Sequence, residues 1–213
     1  GTEDVGYFLV RRDLAGVSIQ ETWNMLSMRA TGSHDLILDH VHVQPSDYVQ
    51  RFVPGKKEAQ GWYLHIPACY LGIATAAAQE AIQFATTYAP NSIKGTIAEI
   101  PTVQQKIGEM QLKLFESETI LYSVARKWDE SSEEVRQTMH SEFGATKMIV
   151  VNRAIEVVDL AMRIVGARSL SLDNPLQRYY RDVRAGLHNP PMDDMTVMLL
   201  AKEAIAKQQN KTK

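Results

Sequence analysis

The stretch PTVQQKIGEMQLKLFESETILYSVARKW, residues 101–128, decides the fold. Its apolar positions Val103, Ile107, Met110, Leu114, Leu121, Val124 and Trp128 recur at alternating steps of four and three, interrupted only at Ser117. That period is the seam of a helix packed against other helices, so one long bundle helix is predicted here. Downstream, Ser131 with Glu134 three residues on has the form of a capping box. The helix it opens is expected to run through Met139, Phe143, Val150, Ala154, Val157 and Ile164 to a stop at Gly166, packing back antiparallel on the first. Upstream, Pro67 suits a first helical turn, and Ala68, Gly72, Ala74, Ala76, Ala77, Ala78 and Ala81 form a small-residue surface that admits a close helix neighbour. That helix is predicted to be central. Pro191 followed by Asp193 and Asp194 marks the start of a last helix, with Met195, Met198, Leu199 and Ile205 at helical spacing. Residues 60–213 are therefore predicted to be an antiparallel bundle of four or more helices.

The residues before it differ in kind. Val5–Val10, Val17–Gln20 and Asp35–Val43 read as strands, with turn residues at Ala30–Ser33 and an end at Pro45. Three or four strands cannot enclose a core of their own, so residues 1–53 are expected to be the end of a truncated β domain. Pro54–Gln60, polar and carrying breakers, reads as a linker. The fold class is mainly α, with a β remnant in front. Residue 1 is Gly rather than Met and only four residues precede the first strand-like stretch, so the chain is expected to be a truncated piece.

Composition removes several functions. Across 213 residues, 23 Lys and Arg face 25 Asp and Glu, a net charge of -2, which gives no basic excess for nucleic acid or an anionic membrane. No uninterrupted apolar run reaches the roughly 18 residues of a membrane span, and the first residues lack a signal peptide's pattern. The single cysteine, Cys69, cannot make an internal disulfide, and its neighbours Ile66, Pro67, Ala68, Tyr70 and Leu71 suggest a buried, inert thiol. A cytoplasmic location fits.

Among candidate sites, His40 and His42 would share one side of a strand near His34, but no carboxylate or cysteine is placed to complete a metal's ligands, and no metal is expected. The glycines form neither a dinucleotide fingerprint nor a phosphate loop. Nine methionines fall mostly on bundle seams and read as core. The segment 178–191, RYYRDVRAGLHNPP, stands apart: it concentrates aromatic, cationic and imidazole groups, and its two prolines rigidify the point where a new helix begins. Such a junction suits either an anion or polar cofactor edge, or a structural corner in which Arg181 and Asp182 pair with neighbours.

The order of these features resembles the acyl-CoA dehydrogenase superfamily of flavoproteins. Leu26–Ser33 leading into Leu38–Pro45 looks like the family's G-M-R-x-S and F-x-D-V-x-V-P, and Ile164–Ala167, Pro175 and Arg181–Asp182 look like its I-x-G-G segment, proline and R-D pair. The resemblance implies the tail of a β-barrel followed by the carboxyl-terminal helical bundle, a homotetramer, and FAD, or alternatively FMN, bound across a subunit interface. It places flavin contacts at Arg163, Gly166, Ala167, Met192 and Asp194, and a small-molecule substrate, acyl-CoA or aromatic, beside them. Dehydrogenation of an acyl-CoA needs a carboxylate base, yet counting from Arg181–Asp182 the family's glutamate falls on Pro190. The alternative base position falls near Trp62–Tyr63, again without a carboxylate. No arginine lies between Arg51 and Arg126 to reach a partner's flavin, and the usual glutamine is Arg163. His188 resembles the histidine of the family's flavin-dependent monooxygenases, which lies near the flavin and its oxygenated intermediate; it is the candidate catalytic residue. Three functions follow: a dehydrogenase-like flavin oxidoreductase, a monooxygenase using His188, or a non-catalytic oligomerisation module. The chain alone is expected to be inactive and not to retain flavin.

Overall fold

A computed structural model describes residues 5–51 and 61–211, which divide into two compact units, Gly1–Glu58 and Ala59–Lys213. In the second unit a short 3-10 turn at Gly61–Leu64 leads into α1 (His65–Thr87), followed by α2 (Pro101–Glu130), the single turn α3 (Glu133–Arg136), α4 (His140–Val165), α5 (Pro175–Val183) and α6 (Asp193–Lys211). A four-helix-or-more bundle is what the apolar spacing requires.

The centre is the α1/α4 contact, the most extensive in the molecule. Ala74, Ala77, Ala81 and Ala85 are completely buried, and a stripe of methyl groups lets the two backbones come close. From α4, Phe143, Val150, Val151, Ala154, Val157, Val158 and Ala161 fill the same core. On α2 the predicted seam is the buried one: Met110, Leu114 and Leu121 point inward with Ser117, whose hydroxyl donates to the Lys113 carbonyl at 2.8 Å and so carries no unmet donor into the core. Ion pairs fix the antiparallel register, Lys113 to Glu156, Glu116 to Arg153 and Lys127 to Glu142, numbers rising along α2 as they fall along α4.

The helix expected from Ser131 to Gly166 is broken. Ser131 ends α2, its N–H donating to the Trp128 carbonyl, and Ser132 is the residue that caps α3; α4 begins only at His140. The Ser132 hydroxyl, with the backbone N–H of Glu134, holds the Glu134 carboxyl below its usual range. The reason for the break is the reversal itself. Arg136 reaches back from α3 to the Trp128 carbonyl at 2.8 Å and the Asp129 carbonyl at 3.1 Å, with its guanidinium 5.1 Å from the Trp128 ring centroid. A separate turn thus closes the carbonyls that α2 leaves open.

Segment 178–191 also differs from its expected form as a link between helices. Asn174 caps α5, its side chain accepting from the Leu176 N–H at 2.9 Å; Pro175 takes the first position, and the helix continues to Val183 and through a 3-10 stretch to His188. Only residues 189–192 are irregular.

In the first unit, β1 (Gly6–Phe8) pairs antiparallel with β4 (Tyr48–Arg51), and β2 (Val17–Gln20) with β3 (Asp35–Leu38), as two separate two-stranded sheets. Leu36, Ile37, Leu38, Tyr7 and Phe8 are exposed, in keeping with strands that close no core. The third strand stops at Leu38, short of the expected Val43, because the chain turns where His40 takes a left-handed φ of 50°. Gly16 serves the same corner: at φ +86° a Cβ there would lie 2.0 Å from the Asp39 carbonyl oxygen. His40 and His42 therefore share no strand face; His40 Nδ1 sits 2.5 Å from its neighbour Asp39, while His34 Nδ1 accepts from the Trp23 N–H. Among the described residues no three metal-ligating side chains converge. No helix among them is long and apolar enough to cross a membrane.

Candidate functional site

The irregular segment between His188 and α6, and the 3-10 stretch before it, are anchored to α1 and α4. Gly186 brings it down onto the core: a Cβ there would stand 2.6 Å from Val151 and 3.2 Å from the Tyr70 ring, so only glycine permits this approach. Tyr70, on α1, donates its hydroxyl to Asn189 Oδ1 at 2.6 Å. Burial, with smaller contributions from Cys69 and Asp182, pushes the Tyr70 phenol up to about 12, so this donor stays protonated. Pro190 and Pro191 follow, joined by a cis peptide bond, and Pro191 lies with Thr196 against the bare backbone of Gly144 on α4.

At the first residue of α6, Asp193 is held by two α4 side chains. Lys147, only 2% exposed, places Nζ 3.5 Å from Asp193 Oδ1, and Asn152 donates to Oδ2 at 2.7 Å. Asp194 is exposed and accepts from the Met195 N–H at 2.8 Å. His188 is exposed, and its ring makes no hydrogen bond among the described residues. The backbone around an available imidazole is thus fixed by α1 on one side and α4 on the other.

The remaining predicted site residues lie elsewhere. Arg163, Gly166 and Ala167 end α4, all exposed; Arg163 pairs with Asp159 at 2.6 Å, which favours its charged form. Gly166 has φ 68° and nothing within 4 Å of a built Cβ, leaving an open surface over the backbone. Beside it the Arg168 guanidinium lies 4.4 Å from the Tyr88 ring centroid. Lys147 and Gly166 are separated along α4 by roughly 28 Å at 1.5 Å per residue. The structure therefore groups His188, Met192 and Asp194 at one place and Arg163, Gly166 and Ala167 at another, and does not bring the two sets together in one chain. Two shallow grooves along α2, of about 400 and 390 Å³ and lined by Phe115 and Glu118 among others, touch neither set.

Two readings from sequence need correction or addition. Cys69 is exposed, because successive helix residues point about 100° apart and the burial of Tyr70 and Leu71 does not extend to it. Tyr70, Asn189, Lys147 and Asn152 were not picked out as site residues. A signal for Lys147 was present: it stands four residues after Phe143 and three before Val150, a charged residue on the core stripe.

The sequence matches, over residues 64–189, the family model described as acyl-CoA dehydrogenase, C-terminal domain. It is 52% identical over 203 residues to the "Putative acyl-CoA dehydrogenase YdbM" of Bacillus subtilis, covering 95% of this chain and 53% of that protein. It is 28% identical over 193 residues to the amino sugar nitrososynthase DnmZ of Streptomyces peucetius, covering 84% of this chain and 45% of the relative. The fold is shared with the crystal structure of an acyl-CoA dehydrogenase from Slackia heliotrinireducens, at a TM-score of 0.75 and 22% identity over 99% of this chain and 55% of that one. The chain thus spans about half the length of the curated relatives it matches.

Proposed function

Because this chain belongs to the acyl-CoA dehydrogenase family, we propose that it forms the carboxyl-terminal part of a flavin-dependent oxidoreductase whose reaction relies on His188 in place of a carboxylate base. One observation carries the reading: where the family resemblance places a glutamate the chain has Pro190, and the side chain left available on the anchored segment is the His188 imidazole. Asp193, only three residues beyond, does not substitute, since Lys147 and Asn152 engage both of its oxygens.

A bound flavin, FAD or FMN, would supply two-electron chemistry at its ring. The chain's own part is narrower. The fixed backbone would present one imidazole, with Nδ1 and Nε2 as the atoms that give or take a proton, toward the flavin or a small substrate. Met192 and Asp194 would help hold the same flavin, while Arg163, Gly166 and Ala167 would hold a second flavin, bound mainly by another copy. That division accounts for two sets of cofactor residues kept apart in one chain, His188, Met192 and Asp194 around the start of α6 and Arg163, Gly166 and Ala167 at the end of α4. It also gives α6 an occupant for its exposed apolar side chains, a second copy in a homo-oligomer, as the resemblance implies for a tetramer.

A monooxygenase using reduced flavin and oxygen suits this proton chemistry, and the name of the nitrososynthase relative favours it. A second reading, oxidation of an acyl-CoA, is favoured by the name of the 52% identical relative. The test uses the whole protein with its flavin. We expect oxygen consumption only when a reductase supplies reduced flavin, lowered about a hundredfold but still measurable in His188→Asn, and no anaerobic bleaching of the flavin by saturated acyl-CoA thioesters. Bleaching by such a thioester would overturn the histidine reading and establish the second.

A further inference from the structure

We propose that Lys147 is a positioning residue for His188: its buried ammonium fixes the first turn of α6, and through it the segment that carries the imidazole. The proposal rests on the reading of His188 given above and extends it to a residue that touches neither flavin nor substrate.

The argument starts from the unfavourable placement of the lysine. Lys147 lies on the core stripe of α4 between Phe143 and Val150 and is 2% exposed, among the largest fully buried side chains in the molecule. A buried ammonium strongly disfavours folding unless paired, and a buried ion pair contributes little net stability against apolar side chains of the same volume. A methionine would serve the core as well or better. What lysine adds is direction. Its charge faces Asp193 Oδ1 at 3.5 Å, and the other carboxylate oxygen receives Asn152 Nδ2 at 2.7 Å, an amide that also donates to the Met148 carbonyl at 2.7 Å. Asp193 is therefore gripped by two points on the most buried helix, and the start of α6 can neither slide nor rotate without stranding the ammonium.

The opposite flank has its own anchor, Tyr70 to Asn189 at 2.6 Å, and Pro191 and Thr196 close on Gly144 between them. His188 precedes this clamped stretch by one residue. An exposed imidazole without a hydrogen bond of its own cannot hold its place, so its position is set by the backbone on both sides, Gly186 packed on the core before it and the clamped stretch after it. Small errors matter here, since displacement of a reacting group by about 1 Å lowers rates by about a hundredfold.

The experiment uses the full-length flavoprotein with Lys147→Met, His188→Asn and the double variant. In Lys147→Met we expect faster amide hydrogen exchange confined to residues 187–196, with α2 unchanged, a thermal midpoint within a few degrees of the parent, and kcat lowered about tenfold or more at a KM changed less than about threefold. The double variant should be no slower than His188→Asn alone, because both changes remove one function. Unchanged exchange over 187–196, or additive losses in the double variant, overturns the proposal. If exchange rises locally while His188→Asn keeps full activity, the positioning holds and the reading of His188 fails instead. Should Lys147→Met not fold, Lys147→Met with Asp193→Leu removes both charges and is read the same way.

Discussion

Helices α4 and α6 have similar raw material and opposite fates. Both carry apolar side chains at helical spacing and both begin beside carboxylates, yet α4 has thirteen buried residues and α6 has one, Thr196. On α6, Met195, Met198 and Ile205 are each 58% exposed, and Leu199 and Leu200 are about 40% exposed. Periodicity thus decides that a segment is helical, while burial depends on what stands opposite. For α4 the opposite surface is the alanine stripe of α1 and the seam of α2; for α6 the described residues bury only Thr196.

The sharpest way to break this contrast is to put the same charge on both helices. Val157→Asp places a carboxylate at a fully buried position of α4 without a partner, and we expect a loss above about 4 kcal/mol, enough to abolish the cooperative unfolding transition. Met198→Asp on α6 should leave that transition within about 0.5 kcal/mol when measured on dilute protein, and weaken self-association in sedimentation instead. Equal destabilisation at the two sites would show that α6 is packed within the chain.

A smaller effect separates the two helices by volume alone. Ala81→Leu forces a larger side chain into a completely buried position of α1 and should cost about 1–3 kcal/mol in chemical denaturation. Ala204→Leu, on the exposed side of α6, should change stability by less than about 0.5 kcal/mol. If Ala81→Leu were tolerated equally well, the stripe would be loosely packed and the centre of the bundle would lie elsewhere.

What could be read from sequence follows the same division. The seam of α2 and the stripe of α1 were legible because burial there is periodic and entirely apolar apart from Ser117, whose hydroxyl satisfies itself on its own helix. The break before α4 was not, because Ser131 and Ser132 are both plausible caps and only Arg136, folding back on the end of α2, decides between them. Helix α5 was obscured by its charged and aromatic surface; only Leu176 and Val183 are buried. The turn at His40 depends on a backbone angle that alternation of side chains does not encode. At the candidate site, His188 and Pro190 stood out through their chemistry, and Lys147 is legible as a charge on the core stripe, but the partners of Tyr70 and Lys147 lie 119 and 46 residues away, distances over which spacing does not say what a side chain meets.

The smallest predicted effect tests the anchored segment through pH. Tyr70 must donate to Asn189, and a phenolate cannot; burial raises its titration to about 12 from the usual value near 10. In the unfolded chain the same phenol loses its proton near pH 10. Between about pH 10 and 12 the unfolded state therefore binds fewer protons than the native state, and stability falls as pH rises. The contribution is intact below about pH 10 and is lost progressively up to about 12. Tyr70→Phe removes the proton altogether, so its stability should decline less steeply over that window, at the expense of about 1 kcal/mol at neutral pH for the hydrogen bond no longer made to Asn189. Urea midpoints measured at pH 9, 10 and 11 for the two proteins decide it, since parallel declines would mean that the phenol is not held protonated by its burial against the segment that carries His188.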